Sequence, residues 1–366
     1  METIGILGIG KLGICFALNL ERVGYKVIGV DINEAYVAEV NNKTLFSHEP
    51  LVMEYLAKSV HFTATTHIEE VLNSPAKLIF IVVATPSAPN GGYNHYQIER
   101  IVAQLEQAGR QPFERHLVIM CTTMPGYADT VAKRLEPFNY TVSYNPEFIA
   151  QGSIMHNQVQ PDQVLIGEAN EEVGKKIARL YQTMCQNQPV YCHMTRLSAE
   201  ICKLATNCFL TTKISFANAI GDLATQAGAE PNKILAAIGA DSRIGGQYLR
   251  HGFGFGGPCF PRDNRALGKF AHEQNYPLLI GKATDEVNQQ HLNFQLNQYL
   301  QNFPPDEPLV FEQVSYKKGS VLIEESQQLA LAVALARAGR QVIIADVPAV
   351  QQQVKVMYGN LFEYTQ

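Results

Sequence analysis

The sequence of 366 residues is 46% hydrophobic and 17% charged, which is typical of a globular protein with two or three domains. The net charge is -5, and the sequence shows neither an apolar run long enough to cross a bilayer nor the pattern of a secretory leader. We therefore have no reason to expect nucleic acid or a membrane as partner. The seven cysteines are scattered without a CxxC pair or a cysteine–histidine motif, so we expect no metal, reduced thiols and a cytoplasmic location.

The N-terminal residues have the pattern of a dinucleotide-binding unit. A predicted buried strand at 3–7 leads into a GxGxxG turn (Gly8, Gly10, Gly13), a helix at 14–22 and a strand at 25–30 that ends at Asp31. The first two glycines permit a tight turn and close approach of a pyrophosphate to the helix N-terminus, and the third lets helix and strand pack. Asp31 would accept hydrogen bonds from ribose hydroxyls and repel a 2′-phosphate, which favours NAD over NADP. The alternative is a glycine-rich turn in another α/β unit.

Further strands, predicted at 77–83, 116–120 and 141–144, alternate with helices at 97–108 and 128–135. This alternation predicts a doubly wound parallel sheet of the Rossmann type. Thr85 and Thr123 follow two of these strands, and ligands bind beyond the carboxyl ends of strands in such sheets, so both are candidates to contact the cofactor or substrate. Capping of turns by the two threonines is equally compatible with the pattern. Glu147 follows the next strand and adds a carboxylate at the same edge.

A long proline-free segment at 197–227 predicts a helix with an apolar stripe. Lys203 and Asn207 lie four residues apart, so both project from one face of this helix. The alternative for this pair alone is an ordinary solvated face. The length of the helix suggests that it joins two domains and packs against a second subunit. Further helices are predicted at 231–239, 265–273 and 279–300.

The segment 252–263 combines four glycines and two prolines with Cys259, and Asp263 follows that cysteine by four residues. Glycine lets the backbone approach a ligand closely, whereas proline stiffens the same loop. We therefore predict that Cys259 is a catalytic nucleophile presented by this loop.

After a predicted linker at 303–306, a strand and loop at 308–316, a helix at 324–338 and a strand at 341–345 predict a short α/β unit. The predicted architecture is an α/β protein with a Rossmann domain (1–196), a central long helix with a helical domain (197–302) and an abbreviated C-terminal α/β unit (303–366).

At these motifs the sequence resembles the UDP-glucose/GDP-mannose dehydrogenases, a family of nucleotide-sugar dehydrogenases. The resemblance covers most of the chain, and the motifs occur in the family's order: the fingerprint from Gly8 to Asp31, Glu49-Pro50, the loop 122–126, the NPEF sequence 145–148, the helix segment 199–207 and the loop 254–263, in which Arg262 stands where Lys is commoner.

The resemblance implies oxidation of a sugar C6 alcohol to a carboxylate by two hydride transfers to NAD⁺, without a metal. Cys259 would capture the aldehyde as a thiohemiacetal, which is then oxidised to a thioester. Lys203 and Asn207 would stabilise the developing alkoxide, and Asp263 would serve as base or hold a water.

The resemblance also implies that Thr123 and Glu147 position the water for thioester hydrolysis, with Glu147 as a candidate base. The expected partners are a nucleotide sugar and a second copy of the chain, the latter through the central helix. The candidate substrate contacts are Phe148, Gln151, Lys203, Arg243, Phe255, Gly256 and Lys317.

Two departures from the family pattern concern the substrate. Gln151 stands where the family usually has Glu, and Glu324 stands where a family Arg is expected. The family's third domain is also longer than the C-terminal unit here.

Two alternatives remain at this point. A two-electron 3-hydroxyacid-type dehydrogenase also uses a Rossmann domain and a helical Lys-x-x-x-Asn, but it has no need of Cys259. A catalytically degenerate, regulatory NAD-binding protein would explain the short C-terminal unit, but not the intact set of Lys203, Asn207, Cys259 and Asp263.

Overall fold

The computed structural model describes residues 1–149 and 152–365. These residues form two compact units. The first contains Met1–Pro89 and Tyr93–Lys203, and the second contains Asn90–Gly92 and the chain from Leu204 onward.

The first unit is built on a sheet of eight strands in the order β3-β2-β1-β4-β5-β6-β7-β8. The strands are β1 (Thr3–Leu7), β2 (Lys26–Val30), β3 (Phe62–Thr65), β4 (Leu78–Ile81), β5 (Arg115–Ile119), β6 (Tyr140–Tyr144), β7 (Gln163–Gly167) and β8 (Val190–Met194). Their helices are α1 (Lys11–Arg22), α2 (Glu34–Asn41), α3 (Val52–Lys58), α4 (Ile68–Leu72), α5 (Tyr96–Gln107), α6 (Tyr127–Leu135), α7 (Ile154–Val159) and α8 (Glu171–Met184), and a 3₁₀ turn covers Glu136–Phe138.

Both faces of this sheet are covered, as the nearly continuous apolar strands predict. In β4, Leu78 and Phe80 belong to one hydrophobic core, whereas Ile79 and Ile81 belong to the core on the opposite face. The alternation follows from the two-residue period of side chains along a strand. The predicted Rossmann-type doubly wound sheet is confirmed. One pair departs from the parallel arrangement, because β6 and β7 are antiparallel and meet at Tyr144 and Gly167.

The second unit is mainly helical and ends in a small sheet. It contains most of α9 (Arg196–Gln226), together with α10 (Pro231–Gly239), α11 (Phe260–Glu273), α12 (Leu279–Asn302), α13 (Gln327–Arg337) and α14 (Pro348–Tyr358), and a 3₁₀ turn at Gly359–Leu361. Its strands are β9 (Leu309–Phe311), β10 (Val342–Ile344) and β11 (Glu363–Tyr364), which pair in parallel in the order β11-β10-β9. The division into three domains at 196 and 302 stays a prediction. No helix in the described part of the chain is long and apolar enough to cross a membrane.

Candidate active site

The glycine turn after β1 has the shape that a dinucleotide requires. Gly8 has a φ of +97°, and a Cβ there would lie 2.4 Å from the Val82 carbonyl oxygen. A Cβ on Gly13 would lie 2.0 Å from the Gly8 carbonyl oxygen, so neither glycine tolerates a side chain. Gly10 has open space where its side chain would be, and it precedes α1 without any side-chain cap. The unpaired amides at this helix N-terminus fit the pyrophosphate of NAD.

Asp31 directly follows β2 and is half-buried. Its Oδ1 accepts a hydrogen bond from the Asn33 amide at 3.1 Å, which fixes the carboxylate at the carboxyl end of the sheet. This is the place at which a ribose hydroxyl is bound in a dinucleotide-binding fold, so Asp31 fits the predicted role.

The hydroxyls of Thr85 and Thr123 are both engaged within the protein. Thr85 Oγ1 donates to the Thr122 carbonyl at 2.8 Å, and Thr123 Oγ1 donates to Glu200 Oε1 at 2.8 Å. Both side chains are buried. The structure thus gives each threonine a role in shaping the loop 122–126, while their contact with a cofactor or with water stays a prediction.

Glu200 is a buried carboxylate in the motif 199–207, and its role was not predicted from the sequence. Besides Thr123, it accepts hydrogen bonds from the amides of Gly126 at 2.6 Å and Ala128 at 2.9 Å. These amides lie at the N-terminus of α6, so the carboxylate caps that helix while its own position on α9 is fixed. Burial raises the pKa of Glu200 and the three hydrogen bonds oppose that rise.

His95 holds the same loop from another side, and sequence reasoning also missed it. Its Nε2 accepts a hydrogen bond from the Met124 amide at 3.2 Å, and its ring stacks on Tyr127 with centroids 3.8 Å apart. Burial lowers the pKa of His95 to about 4, so the ring is neutral at physiological pH and can accept this bond.

Glu147 lies at the carboxyl end of β6, as predicted, and it is a strong candidate for a general base. Burial raises the pKa of Glu147 to about 7, although the charge of Lys203 and a hydrogen bond from the Tyr181 hydroxyl both lower it. Its Oε1 is buried and has no hydrogen-bond partner among the described residues. Asn145, Glu147, Gln158 and Tyr181 line a cavity of about 10 Å³, which is roughly the space of one water molecule.

Lys203 is buried and its ammonium lies 4.4 Å from the centre of the Phe148 ring. This contact combines a cation with an aromatic face beside Glu147. The two predicted substrate contacts Phe148 and Lys203 are therefore neighbours. Gln151, the third member of this predicted group, lies outside the described residues.

Cys259 is the residue that caps the N-terminus of α11, and its side chain is exposed. The helix starts with Phe260, five residues earlier than predicted, because Pro261 fits the first turn of a helix and Cys259 O accepts the amide of Asp263 at 2.8 Å. A thiol at a helix N-terminus is favoured in its thiolate form by the helix dipole. Tyr316 is close enough for a charge on Cys259 to contribute to its pKa, which burial chiefly raises to about 12.

Asn207 and Asp263 form a buried pair in the second unit. Asn207 Nδ2 donates to Asp263 Oδ2 at 2.6 Å, and the exposed fractions of the two residues are 7% and 2%. The structure therefore brings together two of the predicted catalytic residues that are separated by 56 positions in sequence.

The glycines of the loop 252–257 have a packing role in this structure. A Cβ on Gly256 would lie 2.1 Å from the carbonyl oxygen of Glu325, and one on Gly257 would lie 2.3 Å from the ring of Tyr316. The Gly257 amide also donates to the Glu324 carbonyl at 3.1 Å. The C-terminal segment thus packs directly against the loop that leads to Cys259.

Amide side chains from two helices hold the backbone of the same loop. Asn288 on α12 accepts the amide of Phe255 at 2.9 Å and donates to its carbonyl at 3.0 Å. Asn218 on α9 accepts the Gly252 amide at 3.1 Å. These side chains supply the backbone hydrogen bonds that a helix or strand would otherwise provide, so they fix the path of the loop toward Cys259.

Comparison with known proteins decides the family. Models of the UDP-glucose/GDP-mannose dehydrogenase family match residues 2–185 (NAD binding domain) and 197–290 (central domain). The UDP-glucose 6-dehydrogenase of Pseudomonas aeruginosa is 31% identical over 356 residues, which cover 93% of this chain and 78% of that protein. The chain belongs to the UDP-glucose/GDP-mannose dehydrogenase family.

Other members are similar over nearly the whole chain. The UDP-glucose 6-dehydrogenase AglM of Haloferax volcanii is 28% identical, with 94% of this chain and 83% of that protein covered. The structure of a UDP-glucose dehydrogenase from Pyrobaculum islandicum superposes with a TM-score of 0.88 at 27% identity and covers 100% of this chain and 86% of that chain.

Membership in the UDP-glucose/GDP-mannose dehydrogenase family confirms the predicted class of enzyme and its cofactor. The chain is an NAD-dependent nucleotide-sugar 6-dehydrogenase, from a family that oxidises its substrate to the uronic acid. The individual roles of the site residues stay predictions.

Within this dehydrogenase, the predicted contacts for the nucleotide end of the substrate lie on the second unit. Arg243 is exposed and pairs with Asp241 at 2.6 Å, so a phosphate would have to compete with that carboxylate. The Lys317 ammonium lies 5.7 Å from the centre of the Tyr316 ring. Glu325 pairs with Arg265 at 2.5 Å, whereas its neighbour Glu324 contributes its backbone carbonyl to the glycine loop.

Proposed function

We propose that this dehydrogenase oxidises the C6 alcohol of a UDP-glucose-like nucleotide sugar to the uronate through a covalent intermediate on Cys259. The observation that carries the proposal is the exposed Cys259 thiol at the N-terminus of α11, one turn before the buried Asp263–Asn207 pair. The choice of a UDP-glucose-like sugar rests on the similarity to the UDP-glucose 6-dehydrogenases of Pseudomonas aeruginosa and Haloferax volcanii.

Two positions on α9 supply charge and hydrogen bonds to the first oxidation. Lys203 and Asn207 lie four residues apart on this helix, and both are largely buried. A buried ammonium and an amide stabilise the negative charge that develops on the C6 oxygen as its proton leaves. Asp263 accepts the hydrogen bond of Asn207 and is the candidate base for that proton, directly or through a water.

The Cys259 thiolate then adds to the C6 aldehyde and forms a thiohemiacetal. Loss of a hydride from C6 and of the proton from its hydroxyl converts this adduct to a thioester. The turn from Gly8 to Gly13 and Asp31 would hold NAD⁺, and two NAD⁺ molecules bound in turn would each accept one of the two hydrides.

Water hydrolyses the thioester, which releases the uronate and restores the Cys259 thiolate. Glu147 is the base that we assign to this step, because a carboxylate with a pKa of about 7 can take a proton from water at neutral pH. We assign positioning of this water to Thr123, whose hydroxyl is oriented by Glu200.

The test is an assay of NADH formation over a panel of UDP- and GDP-sugars, with the uronate quantified in parallel. We expect two NADH per molecule of UDP-sugar, and we expect Cys259→Ser to lose formation of the uronate. Cys185→Ser, which changes a half-buried thiol in the first unit, serves as the matched control.

Two results would contradict the proposal. Uronate formed by Cys259→Ser at the wild-type rate would exclude covalent catalysis by this cysteine. One NADH per substrate, independent of Cys259, would instead indicate a two-electron dehydrogenase.

We further propose that the chain acts in the cytoplasm as a homodimer that forms through α9. Between Leu204 and Thr225 the exposed residues are Phe209, Phe216 and Leu223, which all are large and apolar. Their spacing of seven places them in one row along the helix, which is the pattern of a helix–helix seam. Such a row is costly to leave in water, and a two-fold symmetric contact with the same helix of a second copy would cover it.

A further inference from the structure

Two histidines and an aspartate form a cluster in the second unit that the proposed mechanism does not use. Asp222 lies on α9, His251 lies at the start of the glycine loop and His291 lies on α12. One potential ligand atom from each residue lies within 4.8 Å of those of the others. His251 Nε2 is 2.8 Å from Asp222 Oδ1, and His291 Nδ1 is 2.9 Å from both oxygens of that carboxylate. We call these three residues the Asp222 cluster.

The contacts of His291 require a proton or a metal ion between its Nδ1 and Asp222. Its Nε2 lies 2.5 Å from the Gly252 carbonyl oxygen, and because a carbonyl only accepts, this nitrogen carries a hydrogen. In the neutral ring, Nδ1 would then present a lone pair to two carboxylate oxygens at 2.9 Å, which is repulsive. Either a proton or a metal ion must therefore lie between Nδ1 and Asp222.

The Asp222 cluster has one buried ligand candidate and two that solvent can reach. The exposed fraction of the His291 side chain is 1%, whereas those of Asp222 and His251 are 17% and 20%. The buried His291 ring is held by the Gly252 carbonyl at Nε2, so its Nδ1 stays directed at Asp222. The partly exposed side of the cluster gives an ion a path from solvent and a place for a water ligand.

We propose that the Asp222 cluster binds a divalent transition-metal ion of the Zn²⁺ class through Asp222, His251 Nε2 and His291 Nδ1, with water as the fourth ligand. Imidazole and carboxylate donors are those that Zn²⁺ and its neighbours bind, and three protein ligands with one water are a common set. Ligand atoms around a tetrahedral ion lie about 3.3 Å apart, so the nitrogen–oxygen spacings of 2.8 and 2.9 Å would open by roughly half an ångström.

The surroundings of the Asp222 cluster resemble the outer shell of a metal site. A ligating histidine usually donates its second ring nitrogen to a carbonyl or carboxylate, as His291 Nε2 does to Gly252 O. Gln295 Nε2 donates to the same carbonyl at 3.2 Å and helps to fix it. An ion here would tie the first residues of the glycine loop to both α9 and α12, so it would stabilise the loop that ends at Cys259.

The experiment is a titration of the full chain, without a polyhistidine tag and after removal of metals by a chelator, with Co²⁺ and with Zn²⁺. It is done in the Cys259→Ser background so that the exposed thiol does not compete. We expect one ion per chain, a rise in the unfolding temperature and the visible absorption of tetrahedral Co²⁺. His251→Gln and Asp222→Asn should each weaken binding by more than the ~10- to 100-fold that loss of an outer-shell partner costs.

His193→Gln is the matched control, because His193 also pairs with a carboxylate, Glu168, at 2.8 Å. This variant should bind the ion as the parent does. Absence of binding in the parent would overturn the proposal and leave a proton in the Asp222 cluster. Binding that survives His251→Gln and Asp222→Asn unchanged, or a cobalt–thiolate absorption band, would place the ion elsewhere and overturn it equally. Since none of these readouts measures sugar oxidation, they are independent of the proposed function.

Discussion

The raised pKa of the buried Glu147 carboxyl group predicts how turnover depends on pH. A general base must be deprotonated. With a pKa of about 7, the fraction of Glu147 in the carboxylate form increases as the pH rises through neutrality. We expect thioester hydrolysis to rise with pH in this range in the wild type. Glu147→Gln should slow the step by about 100-fold or more and remove this rise.

The measurement is single-turnover kinetics with intact-mass detection of the covalent adduct on Cys259. The adduct should accumulate in Glu147→Gln but not in Glu172→Gln, which changes an exposed carboxylate. Hydrolysis at the wild-type rate in Glu147→Gln would remove this residue from the mechanism.

The same residue should also affect stability, and the sign follows from its raised pKa. Between the ordinary value of 4.5 and about 7, the folded chain holds a proton that the unfolded chain has lost. Stability contributed at this site therefore falls as the pH rises through that window and is constant above it. From pH 5 to pH 8, the wild type should lose on the order of 3 kcal/mol relative to Glu147→Gln.

Urea unfolding of the two proteins at several pH values checks this expectation, since other titrating groups cancel in the difference. A difference in unfolding free energy that does not change with pH would show that Glu147 keeps an ordinary pKa.

Among single residues, the sequence predicts candidates that lie in local motifs. It misses residues whose contacts are with partners far away in the sequence. Glu147, Asp263 and Cys259 follow a strand end or a glycine loop, so a local pattern is enough to single them out as candidates. Glu200 accepts the amide of Gly126, which is 74 residues away in sequence, and His95 accepts the amide of Met124, which is 29 residues away. No local pattern encodes such contacts, because only the fold brings them together.

The packing of the glycine loop requires positions that have no side chain. At Gly256, an added Cβ would meet backbone, the Glu325 carbonyl, which cannot move aside as a side chain can. We expect Gly256→Ala to lower the unfolding free energy by about 1–3 kcal/mol through overpacking.

Gly268 provides the opposite case on α11, because a Cβ there has no neighbour within 4 Å. Gly268→Ala should raise the unfolding free energy by up to ~1 kcal/mol, since alanine favours the helix. Thermal or urea unfolding of the two variants checks the contrast. Equal changes in unfolding free energy for the two variants would show that the C-terminal segment does not pack tightly against the loop.

At the scale of elements, apolar strands and amphipathic helices were predicted within a few residues, as for β1, α10 and α12. No sequence pattern was interpreted as a strand or helix at β7, α8 or β8. The strand β8 is an edge strand with half-exposed residues and so lacks a buried pattern. The helix α8 did carry a signal, since Asn170 caps it by accepting the Val173 amide at 3.0 Å.

For the molecule as a whole, the row of Phe209, Phe216 and Leu223 gives a test of the proposed dimer. We expect Phe209→Glu combined with Phe216→Glu to yield monomers, because two charges would be buried without partners in the seam. Light scattering coupled to size-exclusion chromatography measures the mass.

Val356→Glu is the control, since it changes an exposed apolar residue on α14. This variant should keep the mass of the wild type. A dimer that persists in the double variant would show that α9 does not form the seam.

The exposure of Cys259 also offers a way to count the proposed nucleophile in a preparation. Of the seven cysteines, Cys259 is the exposed one, and burial raises the pKa of the thiols of Cys121 and Cys208 to about 12. A mild alkylating reagent at neutral pH should therefore label Cys259 before these two buried cysteines. The fraction labelled reports how many molecules in a preparation carry an intact nucleophile, so every measured rate can be expressed per competent site.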